Sequence, residues 1–309
     1  MKLSVVTTLY NSETYIDEFL RKVNSSCNQI VGEDYEIIFV NDGSQDKSLI
    51  LVLEHAKDNN RIRIIDLSRN FGHHKAILTG LSFACGELVF LIDSDLEEDP
   101  EWLLNFHQLM NEKECDVVFG IQESRKGRLF ERISGALFYI LFNSLTEVKI
   151  PASLVTARLM TRRYVDALLK HEEKEVFLAG LWQLIGFVQI PYLINKKSNM
   201  TSRYSLKKKW NLAIDAVVSF SIAPLRLVFK IGILMNLISI ILVTILLINR
   251  FVNLHNVPGW TSILASLWLV GGAIVSSIGI LGIYLSRIFL EVKNRPITVV
   301  RAVYGRQEN

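Results

Sequence analysis

The sequence predicts an α/β protein with an open, mostly parallel sheet covered by helices, followed by two helices that cross a membrane. Two observations support this prediction. Strand-like apolar runs alternate with helix-length segments over the first 120 residues, and two long uncharged stretches follow in the last third of the chain. Half of the 309 residues are hydrophobic and the formal net charge is only +3, so composition does not indicate a nucleic-acid-binding protein.

The predicted strands are rich in β-branched residues and do not alternate between apolar and polar positions. This pattern is typical of parallel strands that are buried on both faces. Segments between them, such as 15–23 and 47–58, have the apolar spacing of helices, and the alternation predicts a parallel sheet. The predicted strands are Leu3–Leu9, Tyr35–Val40, Arg61–Asp66, Glu87–Ile92 and Asp116–Gly120.

Polar residues follow four of these strands at the point where each strand ends. They lie in segments 10–13, 41–44, 66–72 and 93–95. Ligands of open parallel sheets bind beyond the carboxyl ends of the strands, so four polar ends on one edge predict a binding crevice. No GxGxxG follows the first strand and no GxxxxGK[ST] occurs, which argues against a dinucleotide site and a P-loop.

Two uncharged stretches, Ile231–Ile248 and 261–285, are each long enough to cross about 30 Å of hydrocarbon. Their short link contains Pro258 and Gly259, as a tight helical hairpin requires. Lys and Arg residues flank the pair on its outer sides, whereas the link carries only Arg250. The positive-inside rule therefore predicts that the N-terminal domain and the tail both face the cytoplasm. A buried helix pair in a soluble protein is the alternative interpretation.

A possible interface helix precedes the first of these stretches. Leu206, Trp210 and Ile214 fall on one helical stripe, and lysines lie off it, which is typical of a helix in the membrane interface. A helix packed against the N-terminal domain is the alternative. The predicted organisation is an α/β domain over 1–205, an interface helix and linker over 206–226, membrane helices within 227–289 (231–250 and 261–285), and a tail over 290–309.

An ordered set of motifs extends over nearly the whole chain. It includes VVTTLYN, EIIFVNDGSQD, LSRNFGHHKAILTGL, LIDSDLEEDP, ARLMTRR and GILGIYLSRIFLEVKNRP. A DxD pair alone is weak evidence of a family, but this ordered set resembles the motifs of family 2 glycosyltransferases of the GT-A fold. More closely, it resembles the polyprenyl-phosphate glycosyltransferases, which include dolichyl-phosphate mannose synthases and bacterial bactoprenol glucosyltransferases.

The resemblance implies a Rossmann-like catalytic domain anchored in the inner (cytoplasmic) membrane of a bacterium. The implied reaction is the inverting transfer of one hexose, with glucose as the expected sugar, from a UDP-sugar to undecaprenyl phosphate for modification of a cell-surface glycan. The expected partners are thus a UDP-sugar, a polyprenyl phosphate and the lipid bilayer, with no nucleic acid. We also expect a homo-oligomer, such as a tetramer.

Asp93 and Asp95 form the DxD pair that the resemblance implies as a metal site. Side chains two apart at a strand end can lie on the same side, and two carboxylates suit Mg²⁺ or Mn²⁺ held against a diphosphate. The family has Gln where this chain has Glu97, so Glu97 is a candidate third ligand. Glu98 and Asp99 are expected to form a charged turn.

The resemblance also implies which residues bind the nucleotide-sugar. Asp42 is expected to accept a hydrogen bond from the uracil or the ribose. Thr8 and Ser12 stand where the family usually has Pro and Glu, so the first loop differs from the family pattern at two positions. The expected set is Thr8, Tyr10, Asn11, Asp42, Gly43, Asn70, Gly72, Asp93 and Ser94.

The acceptor side differs from the family at Thr156, where relatives often have an acidic residue proposed as a general base. A lipid phosphate does not need a base, because its second pKa is about 6 and it is mostly ionised at neutral pH. It needs cations, and the resemblance implies Arg125, Arg128 and Arg158 as catalytic arginines suited to phosphate. The expected acceptor-phosphate site consists of Arg125, Arg128, Ser202 and Arg203.

Two other functions stay open from sequence alone. A polysaccharide synthase would extend a glycan, but the QxxRW motif and the additional spans of those enzymes are not found in this sequence. A membrane-anchored homologue without activity is the other alternative, favoured by the departures at Ser12 and Thr156. The intact Asp93 and Asp95 pair argues against it.

Overall fold

The computed structural model describes residues 1–122, 151, 153–174, 176–194, scattered positions between 225 and 241, and 260–305. The described strands are β1 (Leu3–Leu9), β2 (Tyr35–Asn41), β3 (Ile62–Leu67), β4 (Leu88–Leu91), β5 (Val117–Gln122), β6 (Leu154–Thr161), β7 (Gln189–Ile194) and β8 (Val300–Tyr304). The described helices are α1 (Ile16–Val31), α2 (Ser48–Asp58), α3 (His73–Phe83), α4 (Trp102–Lys113), α5 (Arg162–Leu169), α6 (Leu178–Leu184) and α7 (Trp260–Lys293).

The eight strands form one mixed sheet in the order β7-β5-β6-β4-β1-β2-β3-β8. Strands β1 to β4 are mutually parallel where they pair, and β7 is parallel to β5. Strand β6 is antiparallel to both β4 and β5, and β8 is antiparallel to β3. The predicted mostly parallel α/β sheet is therefore confirmed, with three antiparallel pairings that the sequence did not indicate.

Both faces of the central strands are buried, which explains why their sequences do not alternate. Along β1, Val5 faces a core formed with α1, α2 and α4, and Val6 faces a second core formed with α3, α5 and α6. Every residue of β1 and β2 is buried. Successive side chains of a strand point to opposite faces of the sheet. Because each face is covered by its own layer of helices, the side chains on both faces are apolar.

Helix α3 packs directly on the central strands. A Cβ atom at Gly80 would lie 2.6 Å from Cγ1 of Val6 and 2.8 Å from Cγ2 of Val40, closer than side chains approach one another. Glycine is therefore required for this helix to lie so close to β1 and β2. This close packing fixes the position of the first turn of α3, which begins at His73 just beyond the ends of those strands.

Asp116 joins the strands on the β5–β7 side of the sheet. Its buried carboxylate accepts hydrogen bonds from Thr161 Oγ1 at 3.1 Å, from the backbone N–H of Val188 at 3.4 Å, and from Arg163 Nε. Burial alone would raise the pKa of Asp116, but these hydrogen bonds and the Arg163 charge lower it below its ordinary value. The carboxylate is therefore held in its charged form.

The last described strand was not expected from the sequence. Residues 290–309 were predicted as a tail outside the α/β domain, whereas Val300–Tyr304 forms an edge strand of the central sheet. Strand β8 pairs with β3 through partners such as Ile64 with Tyr304 and Ile65 with Val303. Its residues are half-buried or exposed, and none is fully buried, which fits an edge strand that pairs on one side only.

Helix α7 covers the second stretch that was predicted to cross a membrane. Many of its described apolar side chains are exposed, including Ile263, Leu267 and Ile274. Residues 206–226, the predicted interface helix, and 231–250, the first predicted span, lie almost entirely outside the described residues. Taken over the described residues alone, no helix is both long enough and apolar enough to cross a membrane. The hairpin stays a prediction.

The role of Asp116 leads to a stability prediction. We expect Asp116→Ala to lower the free energy of unfolding of the full-length protein by about 3 kcal/mol, because it leaves buried donors and the Arg163 charge without their acceptor. Denaturant unfolding of the purified protein measures this difference. Because the pKa of Asp116 is lowered, the wild-type advantage is full above the ordinary value of 3.8 and shrinks as the pH falls below it.

Asp166 offers a matched control for this experiment. It makes an i,i+4 ion pair with Arg162 on the surface of α5, and its side chain is 56% exposed. Such exposed pairs contribute about 0.5 kcal/mol or less, so Asp166→Ala should be nearly neutral. Equal losses for the two variants would contradict the bridging role of Asp116.

Candidate active site

The loops after β1, β2 and β4 meet at one edge of the sheet, as the sequence predicted. The backbone N–H of Asn11 donates to Ser44 Oγ at 3.4 Å. The Ser94 hydroxyl donates to the carbonyl of Thr8 at 2.8 Å, and its oxygen lies 3.1 Å from Ser12 Oγ. Ser94 is buried, so it links the first and fourth loops from below rather than lining an open surface.

Asp42 joins the loop after β2 to the loop after β3. Its carboxylate oxygens accept hydrogen bonds from the backbone N–H groups of Phe71 at 2.7 Å and Gly72 at 3.0 Å. Asn70 Nδ2 donates to the Asp42 carbonyl at 3.1 Å. Burial raises the pKa of Asp42, although the two backbone hydrogen bonds oppose this shift. Asp42 is 3% exposed, and its carboxylate already organises the next loop. The expected contact of Asp42 with uracil or ribose stays a prediction.

Gly43 allows these two loops to touch. Its φ of +68° is in the left-handed region, and a Cβ atom there would lie 2.6 Å from the backbone nitrogen of Asn70. Glycine is required on both counts, for the backbone conformation and for the close approach. The predicted nucleotide residues Asp42, Gly43, Asn70 and Gly72 thus form one connected unit.

Asp93 and Asp95 lie just past the end of β4, and both are half-buried. Asp93 Oδ1 is 3.4 Å from Nε2 of His73, and the other ring nitrogen of His73 is 3.1 Å from Thr8 Oγ1. Asp95 Oδ1 accepts a hydrogen bond from the backbone N–H of Glu97 at 3.0 Å. His73 therefore bridges the first loop and the carboxylate pair, a contact that sequence reasoning missed although His73 directly follows the RNFG segment.

The carboxylate pair fits a cation whose coordination shell is completed by the substrate. In the part of the chain that the structure describes, no cluster of three or more His, Cys, Asp or Glu side chains could hold a metal ion. Mg²⁺ commonly takes one or two protein carboxylates and completes its shell with water and phosphate oxygens. Asp93 and Asp95, partly open at a strand end, fit that arrangement. The role of Glu97 as a third ligand stays a prediction.

The acids that follow the pair are not a simple solvated turn. Glu98 is fully buried, and its Oε1 accepts a hydrogen bond from the backbone N–H of Thr156 at 3.0 Å. Asp99 makes an ion pair with Lys22 at 3.1 Å. The expectation of a charged turn is wrong for Glu98, because its carboxylate lies inside the domain beside the charge of Arg158.

Arg158 is also fully buried, which differs from the predicted contact with an acceptor phosphate. Its Nε and Nη2 donate to the carbonyls of Thr156 at 3.2 Å and Val155 at 3.3 Å, and its guanidinium lies over the ring of Trp182. Burial lowers the pKa of Arg158 to about 9, although the neighbouring Tyr164 and Glu98 oppose this shift. Arg158 therefore organises the segment around Thr156 from inside the domain.

The other predicted site residues differ in how far they can be placed. Tyr10 is 52% exposed at the end of β1, so its ring is accessible at the crevice. Asn11 has a positive φ of 57° and accepts a hydrogen bond from the backbone N–H of Gln45 at 3.1 Å. The predicted acceptor residues Arg125, Arg128, Ser202 and Arg203 all lie outside the described residues.

A cavity of about 310 Å³ lies next to the carboxylate pair, between the first turn of α3, β6 and α6. His73, His74, Gln122 and Thr156 are among the residues that line it. His74 Nδ1 is 3.1 Å from the carbonyl of Val176, so Nδ1–H donates and Nε2 is left as an acceptor. Burial lowers the pKa of His74, so the neutral ring is favoured. The cavity thus offers polar groups beside the Asp93 and Asp95 pair.

Comparisons with known proteins identify the family. The family model for glycosyl transferase family 2 matches residues 4–169. A protein of Mycobacterium tuberculosis named as a glycosyltransferase is 42% identical over 305 residues, covering 99% of this chain and 89% of its own. The SfII prophage-derived bactoprenol glucosyl transferase of Shigella flexneri is 31% identical, covering 97% of this chain and 98% of its own.

Among solved structures, S. aureus TarS 1–349 in complex with UDP has a TM-score of 0.47 and 18% identity to this chain. The match covers 71% of this chain and 65% of that structure. The family assignment rests on the other two comparisons, since one matches more than half of the chain and the other extends over nearly its whole length. The resemblance stated from the motifs is therefore confirmed, and the chain belongs to the family 2 glycosyltransferases.

Proposed function

We propose that the protein transfers one hexose, with glucose as the first candidate, from a UDP-sugar to undecaprenyl phosphate with inversion at the anomeric carbon. The observation that carries this proposal is the half-buried Asp93 and Asp95 pair at the sheet edge where the strand-end loops meet. The similarity to a bactoprenol glucosyl transferase over nearly the full length of both chains supports a polyprenyl phosphate as the acceptor.

The donor side of the crevice suits a nucleoside diphosphate. The exposed ring of Tyr10 is accessible for stacking on a base, and the connected loops after β2 and β3 form a firm base for the nucleotide. Asp93 and Asp95 only accept hydrogen bonds when ionised, so they bind a diphosphate through a cation. Bound Mg²⁺ or Mn²⁺ would neutralise the charge that develops on the departing UDP.

The acceptor side favours a phosphate over a sugar hydroxyl. In the proposed reaction a phosphate oxygen forms a bond to the anomeric carbon while the bond from that carbon to UDP breaks. An ionised phosphate needs no base, whereas a hydroxyl does. Position 156 is Thr, and Glu98, whose carboxylate accepts from the Thr156 backbone, is fully buried. This arrangement supports a phosphate acceptor, with Arg125, Arg128, Ser202 and Arg203 as its proposed ligands.

The proposed enzyme acts at the cytoplasmic face of the inner membrane, where the polyprenyl phosphate presents its headgroup. The uncharged 231–248 and 261–285 stretches and the exposed apolar residues of α7 support a membrane anchor. Strand β8 follows α7 and belongs to the same sheet as β1 to β4, which supports a tail and a catalytic domain on one side of the membrane. An oligomer such as a tetramer is part of the proposal only as an expectation from the resemblance.

The proposed transfer can be tested directly. The detergent-extracted full-length protein is incubated with undecaprenyl phosphate, Mg²⁺ or Mn²⁺, and a panel of radiolabelled UDP-sugars. We expect label in an organic-soluble lipid that mild acid releases, because a sugar linked through its anomeric carbon to phosphate is acid-labile. Label in a water-soluble polymer would favour glycan extension. The absence of a labelled lipid with every UDP-sugar tested would refute the proposal.

The carboxylate pair gives a sharper test of mechanism. We expect Asp95→Asn to lower kcat by about 100-fold or more, because it removes a charge that holds the cation on the diphosphate. The amide oxygen of Asn can still accept from the Glu97 backbone N–H, so the loop is preserved. Initial rates of lipid labelling at several metal concentrations measure the effect.

Asp99→Asn is the matched control for that variant. Asp99 lies four residues further on, and its half-buried carboxylate pairs with Lys22. Asp99→Asn removes the same charge without changing Asp93 or Asp95, so its kcat should stay within about twofold of wild type. Full activity of Asp95→Asn would refute the metal role.

A further inference from the structure

Strand β8 is attached to the loop after β3 as well as to β3 itself. Arg301 Nη1 is 3.3 Å from Oδ2 of Asp66, and Arg301 Nη2 donates to the carbonyl of Ser68 at 2.6 Å. The backbone N–H of Ser68 donates to the carbonyl of Val299 at 2.9 Å. Ser68 begins the loop whose Phe71 and Gly72 N–H groups bind Asp42, so Arg301 holds that loop at its start.

Asp66 connects Arg301 to the loop after β2. The other carboxylate oxygen of Asp66, Oδ1, accepts a hydrogen bond from Asn41 Nδ2 at 2.7 Å. Asn41 Oδ1 in turn accepts from the backbone N–H of Ser44 at 3.1 Å. The side chain of Asp66 is 2% exposed, whereas that of Arg301 is 58% exposed. The buried carboxylate is therefore paired with an exposed cation on β8. A buried carboxylate without such a partner is costly.

A second contact links the segment before β8 to α3. The hydroxyls of Thr298 and Thr79 are 2.7 Å apart. Helix α3 begins at His73, which contacts both Thr8 and Asp93. The segment from Thr298 to Arg301 therefore touches the loop after β3 directly and the other two loop regions through Asp66 and α3.

We propose that Arg301 is a positioning residue for the donor nucleotide, so that the strand following α7 forms part of the nucleotide-binding half of the site. This inference rests on the proposed function, and it goes further by making donor binding depend on a segment at the far end of the chain. Only residues 294–299 separate α7 from β8. The placement of α7 is therefore coupled to the loops that bind the nucleotide.

The alternative is that Arg301 only closes the edge of the sheet. A purely structural role would lower thermal stability without changing affinity for the nucleotide in the protein that remains folded. A positioning role would instead weaken nucleotide binding and raise the KM for the UDP-sugar, while kcat at saturating donor stays near wild type. Affinity and the split between KM and kcat thus separate the two roles.

The test uses the full-length protein in detergent with UDP as the probe. We expect Arg301→Gln to raise the Kd for UDP, measured by titration calorimetry with Mg²⁺, by about 10-fold, and the KM for the transferred UDP-sugar by a similar factor. The Arg301→Lys variant keeps the charge and should recover part of the affinity. The control, Arg295→Gln, removes the same charge from an exposed residue before β8 and should bind UDP like wild type.

A double-mutant cycle with Asp66 checks the proposed route. In an Asp66→Asn background, Arg301→Gln should weaken UDP binding by a smaller factor than in wild type, because the Asp66 charge is already absent and only the hydrogen bond of Arg301 to the Ser68 carbonyl is left to lose. Unchanged UDP affinity in Arg301→Gln, with or without a lower Tm, would overturn the inference. If Arg301→Gln does not fold, Asp66→Asn decides, since wild-type UDP affinity in that variant would also overturn the inference.

The outcomes also separate this inference from the proposed function. Wild-type protein that binds UDP and transfers no sugar to lipid would end the proposed acceptor and leave the role of Arg301 measurable by UDP affinity. Wild-type protein that transfers sugar, with Arg301→Gln binding UDP equally well, would end the inference alone. Wild-type protein that does not bind UDP would end both.

Discussion

Buried carboxylates beneath the strand-end loops are the constraint on which the rest of the site depends. Asp42 and Asp66 lie at the ends of neighbouring parallel strands, and both are nearly closed off from solvent. Such a carboxylate is costly unless it is hydrogen-bonded or paired. Asp42 finds the backbone N–H groups of Phe71 and Gly72, and Asp66 finds Asn41 and Arg301. The loops after β2 and β3 therefore hold one arrangement because each carboxylate needs its partners.

The packing of α3 on the sheet sets the position of the edge where the strand-end loops meet. Gly80 lets α3 lie directly on β1 and β2, so the helix begins where the loops after those strands meet. His73, in the first turn of α3, reaches both Thr8 and Asp93 and ties the loop after β1 to the carboxylate pair. Backbone packing thus places the polar groups, and their chemistry follows from which strand end each one occupies.

Much of this fold could be predicted from sequence, because β1 to β5 are apolar runs and the polar ends of β1 to β4 share one edge. Strands β6 to β8 were missed, since β6 mixes polar with apolar residues and β7 and β8 are only half-buried. Within the site, strand ends located Asp93 and Asp95. Arg158 is buried beside Tyr164 and Glu98, and the Arg301 partner of Asp66 is 235 residues away, so neither contact follows from local pattern.

The distribution of charge across the crevice bears on how a phosphate could be accepted. Arg158 is committed inside the domain to the carbonyls of Val155 and Thr156, beside the buried charge of Glu98. The lipid phosphate that we propose as the acceptor would therefore bind to other cations. The sequence places Arg125 and Arg128 after β5, and Arg203 directly before the basic 206–226 segment that is expected at the membrane interface. Cations near the membrane interface would bind the proposed phosphate where the lipid headgroup meets the domain. Charge as well as the lipid chain would then hold the acceptor at the bilayer surface.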